Sequence, residues 1–203
     1  MDSRIKAVIF DEEKHTYSYN GKSLYGVTGA IGKFMGKKGF PDIDTVELAT
    51  MYGSDVHKEI ENYFNLHGHF FNDSPLSTEG ARWIVQELKK FCNGLILDRA
   101  DHIECEVMVS DFEGTASKVD IVIITVGGNA YLFDIKTTSH FDRAYCSLQL
   151  SVYKRLYEAC YDRNVNAMFV LGTNMRRSFR ILQQEDSKIR KILMMNREKT
   201  LNK

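Results

Sequence analysis

The sequence predicts an α/β (α+β) fold: a mixed β-sheet core flanked by helices, with a small N-terminal β-meander. Two observations carry this expectation. Short β-branched and aromatic runs are punctuated by Asn-Gly and Gly-Gly-Asn steps, and helical periodicities stand before, between and after them. Helices, then strands, then a crossover helix and further strands is the order of a layered helix–sheet domain. The 203 residues suffice for one well-buried domain. No repeat or linker divides them, so 1–203 reads as a single domain, with 1–40 as the meander region and 176–203 as a basic C-terminal segment.

Residues 6–27 supply the meander. Lys6-Ala7-Val8-Ile9-Phe10 reads as a first strand, and Thr16-Tyr17-Ser18-Tyr19 alternates before the Asn20-Gly21 turn. Val27-Thr28-Gly29-Ala30-Ile31 opens a short helix or loop. Asp42 or Asp44 caps a long helix running to about Leu66, with Val46, Ala49, Val56, Ile60 and Phe64 near helical spacing and His57 in its middle. His67-Gly68-His69 closes it. Ser77 or Thr78 caps a second helix to about Leu95, with Trp83, Leu88, Phe91 and Cys92 as core positions.

Ile103–Val109 alternates as a strand. The Ile121–Val126 and Ala130–Thr137 runs, joined by Gly127-Gly128-Asn129, form a hairpin. A helix from about Arg143 to Tyr161 follows, then paired strands at Ala167–Leu171 and Phe179–Leu182, and a final helix from Lys188 to Lys199.

Composition limits function. At 43% hydrophobic and 27% charged the chain is an ordinary globular one. No apolar run approaches a membrane span, and the N-terminus lacks a secretory pattern. Cys92, Cys105, Cys146 and Cys160 are scattered without a CxxC pair, which suits reduced thiols in the cytoplasm or another reducing, non-secreted compartment. The net charge of zero conceals an asymmetry: residues 176–203 hold nine Lys/Arg against three Asp/Glu, leaving 18 basic and 24 acidic groups in 1–175. Such a tail fits contact with a polyanion and fits a solvated amphipathic helix equally well.

The hairpin holds the residues that point to chemistry. Residues two apart share a strand face, so Asp134 and Lys136 point the same way with Ile135 behind them. Asp120 opens the partner strand close to where Asp134 lies across it. Carboxylates on adjacent strands suit a hard divalent cation such as Mg2+ or Mn2+, and a lysine beside them can orient or deprotonate water or stabilise developing negative charge. Taken alone, an Asp-x-Lys tripeptide is more often a surface ion pair. Gln149 and Tyr153, one helical turn apart, share a face. Glu61, four residues after His57, shares its helix face and is placed either to orient its ring or merely to solvate the helix. Glu104 and Glu106 share a strand face, and spacing does not say which points inward. His15, His67 and His69 show no convergent metal spacing.

The order Gly53-Ser54-Asp55-Val56-His57, Glu106, Gly114…Asp120, Asp134-Ile135-Lys136-Thr137 and Gln149-Leu150-Ser151-Val152-Tyr153 resembles the RecB-like branch of the PD-(D/E)XK nuclease superfamily. It is most similar in look to small phage-type and mitochondrial single-strand DNA exonucleases, which also carry a Val-Thr segment like Val27-Thr28. The resemblance implies a restriction-endonuclease-like core and a metal-dependent deoxyribonuclease working by in-line attack of metal-activated water, with functions in DNA repair or recombination. By resemblance, Asp120, Asp134, the Ile135 backbone carbonyl and His57 are metal ligands, Lys136 is the catalytic lysine, and Glu106 holds a second metal or a water. Gln149 and Tyr153 position Lys136 or contact a substrate phosphate.

The chain departs from the family pattern where Lys118-Val119 replaces the eponymous proline before Asp120. Its cysteines do not match the iron–sulfur relatives, so no cluster is expected, and no Walker-type loop signals a motor. Arg176, Arg177 and Arg180, with Lys188, Arg190 and Lys191, are expected to line a path for the sugar-phosphate backbone. Tyr145, Tyr157, Phe40 or Trp83 are candidates for base stacking, with a core role the default for Trp83. The expected partner is DNA, single-stranded or at frayed ends, and not a membrane; protein partners in replication or recombination are left open. The alternatives are a structure-specific or nicking endonuclease and a non-cleaving DNA-binding or recruiting module on the same fold.

Overall fold

The computed structural model describes residues 1–36, 43–66, 68–139 and 141–201, with residues 43–50 described by backbone alone. The Asp42 or Asp44 cap, the core roles of Val46 and Ala49, Phe40 and His67 lie outside the described side chains. Among the described residues the fold is mixed α+β: five α-helices, a three-stranded antiparallel sheet and a five-stranded mixed sheet.

A 3-10 turn at Ser3–Ala7, where a first strand was expected to begin, leads into β1 (Val8–Asp11), β2 (Thr16–Tyr19) and β3 (Lys22–Leu24). Asn20 and Gly21 both take positive φ, the backbone that a two-residue hairpin turn between twisted strands requires. The meander proper therefore ends at Leu24, well short of residue 40, and α1 (Val27–Phe34) follows.

The main sheet comprises β4 (Ala100–Ser110), β5 (Ala116–Thr125), β6 (Ala130–Lys136), β7 (Val165–Gly172) and β8 (Arg177–Ile181), adjacent in that order. Only the β6–β7 pair is parallel, because α4 (Arg143–Tyr161) makes the crossover between them. Asp142 caps α4 by accepting from the backbone N–H groups of Ala144 and Tyr145, and Asp162 ends it in the left-handed conformation. The β5–β6 turn is tied by Asp98, which accepts from Gly127 N–H, Thr125 Oγ1 and Asn129 Nδ2.

Each face of the sheet buries its own core. On one side α2 (Ile43–Asn65) and α3 (Glu79–Gly94) pack Val56, Ile60, Phe64, Ile84 and Leu88 against Ile103, Ile121, Ile123, Phe133, Ile135 and Leu171. On the other, α1, α4 and α5 (Asp186–Leu201) pack Ile31, Leu150, Tyr157, Ile189 and Ile192 against Val107, Val119, Val122 and Leu132. Tyr157 is completely buried, so it is a core residue and not a base-stacking one. Trp83 packs at the margin of the α2–α3 core, as its default role required. None of the described helices is long and apolar enough to cross a membrane.

Glu59 of α2 joins two helices. Its carboxylate accepts from the backbone N–H groups of Ser77 and Thr78 and from the Thr78 hydroxyl, while Thr78 Oγ1 caps α3 at Ala81 N–H. Partial burial works against the ionised carboxylate, but these hydrogen bonds outweigh it and hold the Glu59 pKa below its ordinary value. A depressed carboxyl pKa contributes stability above the unfolded pKa, and that contribution is lost as pH falls through the folded pKa. Glu59→Ala is expected to destabilise the fold by about 1 kcal/mol at neutral pH. The gap to wild type should close below roughly pH 4, which thermal melts across a pH series will measure.

Candidate metal centre

The site lies where three strands bring carboxylates into one row. In the β4–β5 register Cys105 pairs Ile121 and Val107 pairs Val119, which sets Glu106 opposite Asp120. The β5–β6 register pairs Ile121 with Phe133, and one residue further sets Asp120 opposite Asp134. His57 reaches this row from α2. Its Nδ1 lies 3.7 Å from Glu106 Oε1 and 3.8 Å from Asp120 Oδ1. Gly53 allows the approach, since a Cβ there would stand 2.9 Å from Thr137 Oγ1 at the end of β6.

Backbone conformation decides between the two strand acids that spacing left open. Glu106 has φ +53°, the left-handed region that a non-glycine residue rarely adopts inside a strand. Side-chain alternation slips there. Ile103 and Cys105 belong with the α2–α3 face, whereas Val107 and Val109 belong with the α4 face. Glu104 therefore does not share Glu106's environment as strict alternation predicts: it pairs with His102 Nε2 at 3.4 Å, and Glu106 turns to His57 and Asp120.

Asp134 is 1% exposed. Its Oδ2 lies 2.8 Å from Lys136 Nζ, and Asp120 Oδ2 accepts the Ile135 N–H at 2.6 Å. Ile135 sends its side chain into the α2–α3 core while its backbone reaches the cluster. Lys136 Nζ also donates to Gln149 Oε1 at 3.2 Å, Gln149 Nε2 donates to Tyr153 Oη at 2.9 Å, and Ser117 Oγ donates to the same Tyr153 oxygen at 3.2 Å. Gln149 and Tyr153 are thus both buried, and they brace the lysine from α4. Glu61 ion-pairs with Lys58 at 2.9 Å instead of orienting His57.

Burial and crowding set the charges. Desolvation raises the pKa of Asp120 and pushes Asp134 up to about 6; Glu106 repels the first and Asp120 the second, while His57 offsets most at Asp120 and Lys136 at Asp134. Burial alone would lower His57, but Asp120, Glu106 and Asp134 outweigh it and hold the imidazole at about 9. Lys136 is likewise kept cationic by its two aspartates against the cost of burial.

The donor set suits a hard divalent cation. His57, Glu106 and Asp120 each offer one ligand atom, all within 4.8 Å of one another, and Asp134 Oδ2 is buried without a hydrogen bond of good geometry. A ligating histidine must be neutral, so the His57 proton and a bound cation are alternatives at this spot.

The cluster sits in a cleft of about 560 Å³ whose walls also include Phe10, His15, Tyr17, Tyr25, Lys118 and Lys199. Spacing gave no sign of these residues. The arginines expected along it are elsewhere. Arg176 ion-pairs with Glu79 of α3, and Arg180 lines a separate hollow with Lys154 and Gln183. Arg177 lies on β8 opposite Gly172, outside the cleft walls. On α5, Lys188 pairs with Glu185, Arg190 with Asp186, and Lys191 rests over the Phe34 ring. Tyr145 is half-buried, with its hydroxyl donating to the Thr28 carbonyl.

No family model matches the chain, and no curated protein matches it either. Among solved structures it is similar to a crystal structure from Eubacterium rectale named "Putative exonuclease", with 12% identity and a TM-score of 0.41, over 88% of this chain and 79% of that one. A likeness at that level assigns no role to any residue.

The left-handed turn at Glu106 is directly testable. A side chain with a Cβ costs about 1 kcal/mol in that region relative to glycine. Glu106→Gly should therefore unfold at higher urea than Glu106→Ala by about that free energy, although glycine is the poorer strand residue elsewhere. Equal midpoints would refute the strained backbone.

Proposed function

We propose that the chain is a divalent-metal-dependent deoxyribonuclease that hydrolyses phosphodiester bonds, acting as an exonuclease on single-stranded or frayed DNA ends. The observation that carries this reading is that Glu106, Asp120 and Asp134 stand opposite one another on three strands, with His57 beside the first two and a braced lysine beside the third. A purely structural ion pair needs neither a third carboxylate nor a buried glutamine–tyrosine brace. Two buried aspartates with a third carboxylate in line beside them are costly unless a multivalent cation shares them.

In this reading His57, Asp120 and Asp134, with the Ile135 carbonyl, hold Mg2+ or Mn2+, and Glu106 completes the set or holds a second ion or a water. A cation there supplies charge neutralisation for the phosphate and lowers the pKa of water. The chain's own residues do the rest. Asp120, tied to the Ile135 N–H, has its carboxylate oriented before substrate arrives. Lys136 stays protonated beside Asp134, so it serves as a hydrogen-bond donor and positive charge toward the phosphoryl oxygens where charge develops, more than as a base. Gln149 fixes the lysine's direction and Tyr153 fixes the glutamine's. Holding those groups still is most of what an in-line displacement asks of a protein.

Two measurements test the reading. Lys136→Ala is expected to reduce cleavage of end-labelled single-stranded DNA by at least about a hundredfold while oligonucleotide binding persists; undiminished turnover would remove the lysine from the reaction. Mg2+ or Mn2+ at a hundredfold excess over its dissociation constant should stabilise the fold by about 2.7 kcal/mol. Asp134→Ala should lose most of that increment. A melting temperature indifferent to both ions would refute the metal centre. Covalently closed circular DNA separates the exonuclease from an endonuclease with the same centre.

A further inference from the structure

The cleft has two cations that no ion-pair arithmetic in the sequence reveals. At one side Lys118 Nζ sits 4.3 Å from the Phe10 ring centroid, with Glu106 Oε2 3.8 Å away. At the other, Lys199 Nζ sits 3.9 Å from the Tyr25 ring centroid, and among the described residues it has no carboxylate partner. Both rings belong to the N-terminal meander region, and both lysines line the same cleft as the acid row. Phe10, His15 and Lys118 are shared with a second hollow of about 720 Å³ lined by Ser54, Asp55 and Lys58, whereas Tyr25, Lys199 and Asn196 are not. Lys118 thus stands where the cleft meets the second hollow, and Lys199 in the part of the cleft that the hollow does not share.

An aromatic ring does not neutralise an ammonium as a carboxylate does. It holds the cation in place by its quadrupole yet leaves N–H donors for another acceptor. Two such lysines on either side of an acid row that repels anions would draw in a polyanion at the points where the row does not. Residues of the sheet, the meander region and α5 all line the cleft.

We infer that Lys118 and Lys199 are the phosphate-binding residues of the cleft, gripping one nucleic-acid strand on the two sides of the acid row. The inference rests on the nuclease reading above and deepens it. It names the substrate's form and the residues that set its path, in place of the arginines of residues 176–180.

The experiment uses the full chain in a Lys136→Ala background with magnesium, so that a fluorescein-labelled oligothymidylate is bound without being consumed. Anisotropy titrations over a salt series give the affinity and its log–log slope. Lys118→Gln and Lys199→Gln should each weaken binding roughly fivefold at low salt and reduce the slope by about 0.7, the single-strand value for one phosphate contact. Lys118→Arg and Lys199→Arg should restore both, which a merely structural role for the ammonium over its ring does not predict. Lys199 is exposed, so its variant keeps the test alive if Lys118→Gln fails to fold.

Slopes equal to the parent's in both glutamine variants, with the otherwise wild-type chain cleaving the same oligonucleotide, would overturn the phosphate assignment alone. Absence of cleavage by that chain would overturn the nuclease reading and this inference with it.

Discussion

Asp120 and Asp134 face each other across a strand pair, with Glu106 in line beyond Asp120, and both aspartates pay a desolvation cost that the surrounding residues must offset. Lys136 and His57 supply the compensating positive charge, and both are held protonated by the acids they serve. The balance is local and mutual. Removing Lys136 leaves Asp134 buried without its ion-pair partner, which is the costly case for a low-dielectric cluster. A row of this kind is tolerable as long as protons or a metal ion moderate it.

The rest of the fold holds that row in place. Hydrophobic cores on both faces fix the sheet, so the carboxylates cannot relax apart by moving strands. The slip at Glu106 turns one acid out of the normal alternation and into the row. α4, required in any case as the crossover between parallel strands, carries Gln149 and Tyr153 to the back of Lys136. One helix thus serves topology and site alike.

The sequence showed this plan unevenly. Asp120, Asp134 and Lys136 were legible because a Gly-Gly-Asn hairpin fixes register, and Gln149 and Tyr153 because helical spacing fixes a face. The bounds of α4 agree with the helix expected from about Arg143 to Tyr161. Glu106 could not be separated from Glu104, since period-two reasoning has no means of anticipating a left-handed residue within a strand. The charge count of residues 176–203 was accurate but uninformative about contact. It did not reveal that Arg176 would meet Glu79, or that Arg197 would meet Asp111 and Glu113. Lys118 and Lys199 lie far apart in sequence and share a cleft only through the packing of α5 on the β3–α1 junction. His57 came from the order of the motifs and not from its helix, where a lone histidine says nothing.

That packing has a consequence for how the molecule comes into being. Asn196 donates to the Tyr25 and Gly26 carbonyls and to Thr115, and Gly114 lies so close to α5 that a Cβ there would come within 2.6 Å of the Arg197 backbone. The junction that leads from the meander into α1 is therefore fastened by residues made some 170 positions later. On a ribosome, a nascent chain can build its central sheet and its acids while the wall bearing Tyr25 still lacks its anchor. The wall of the groove that bears Tyr25 gains its anchor only when α5 follows.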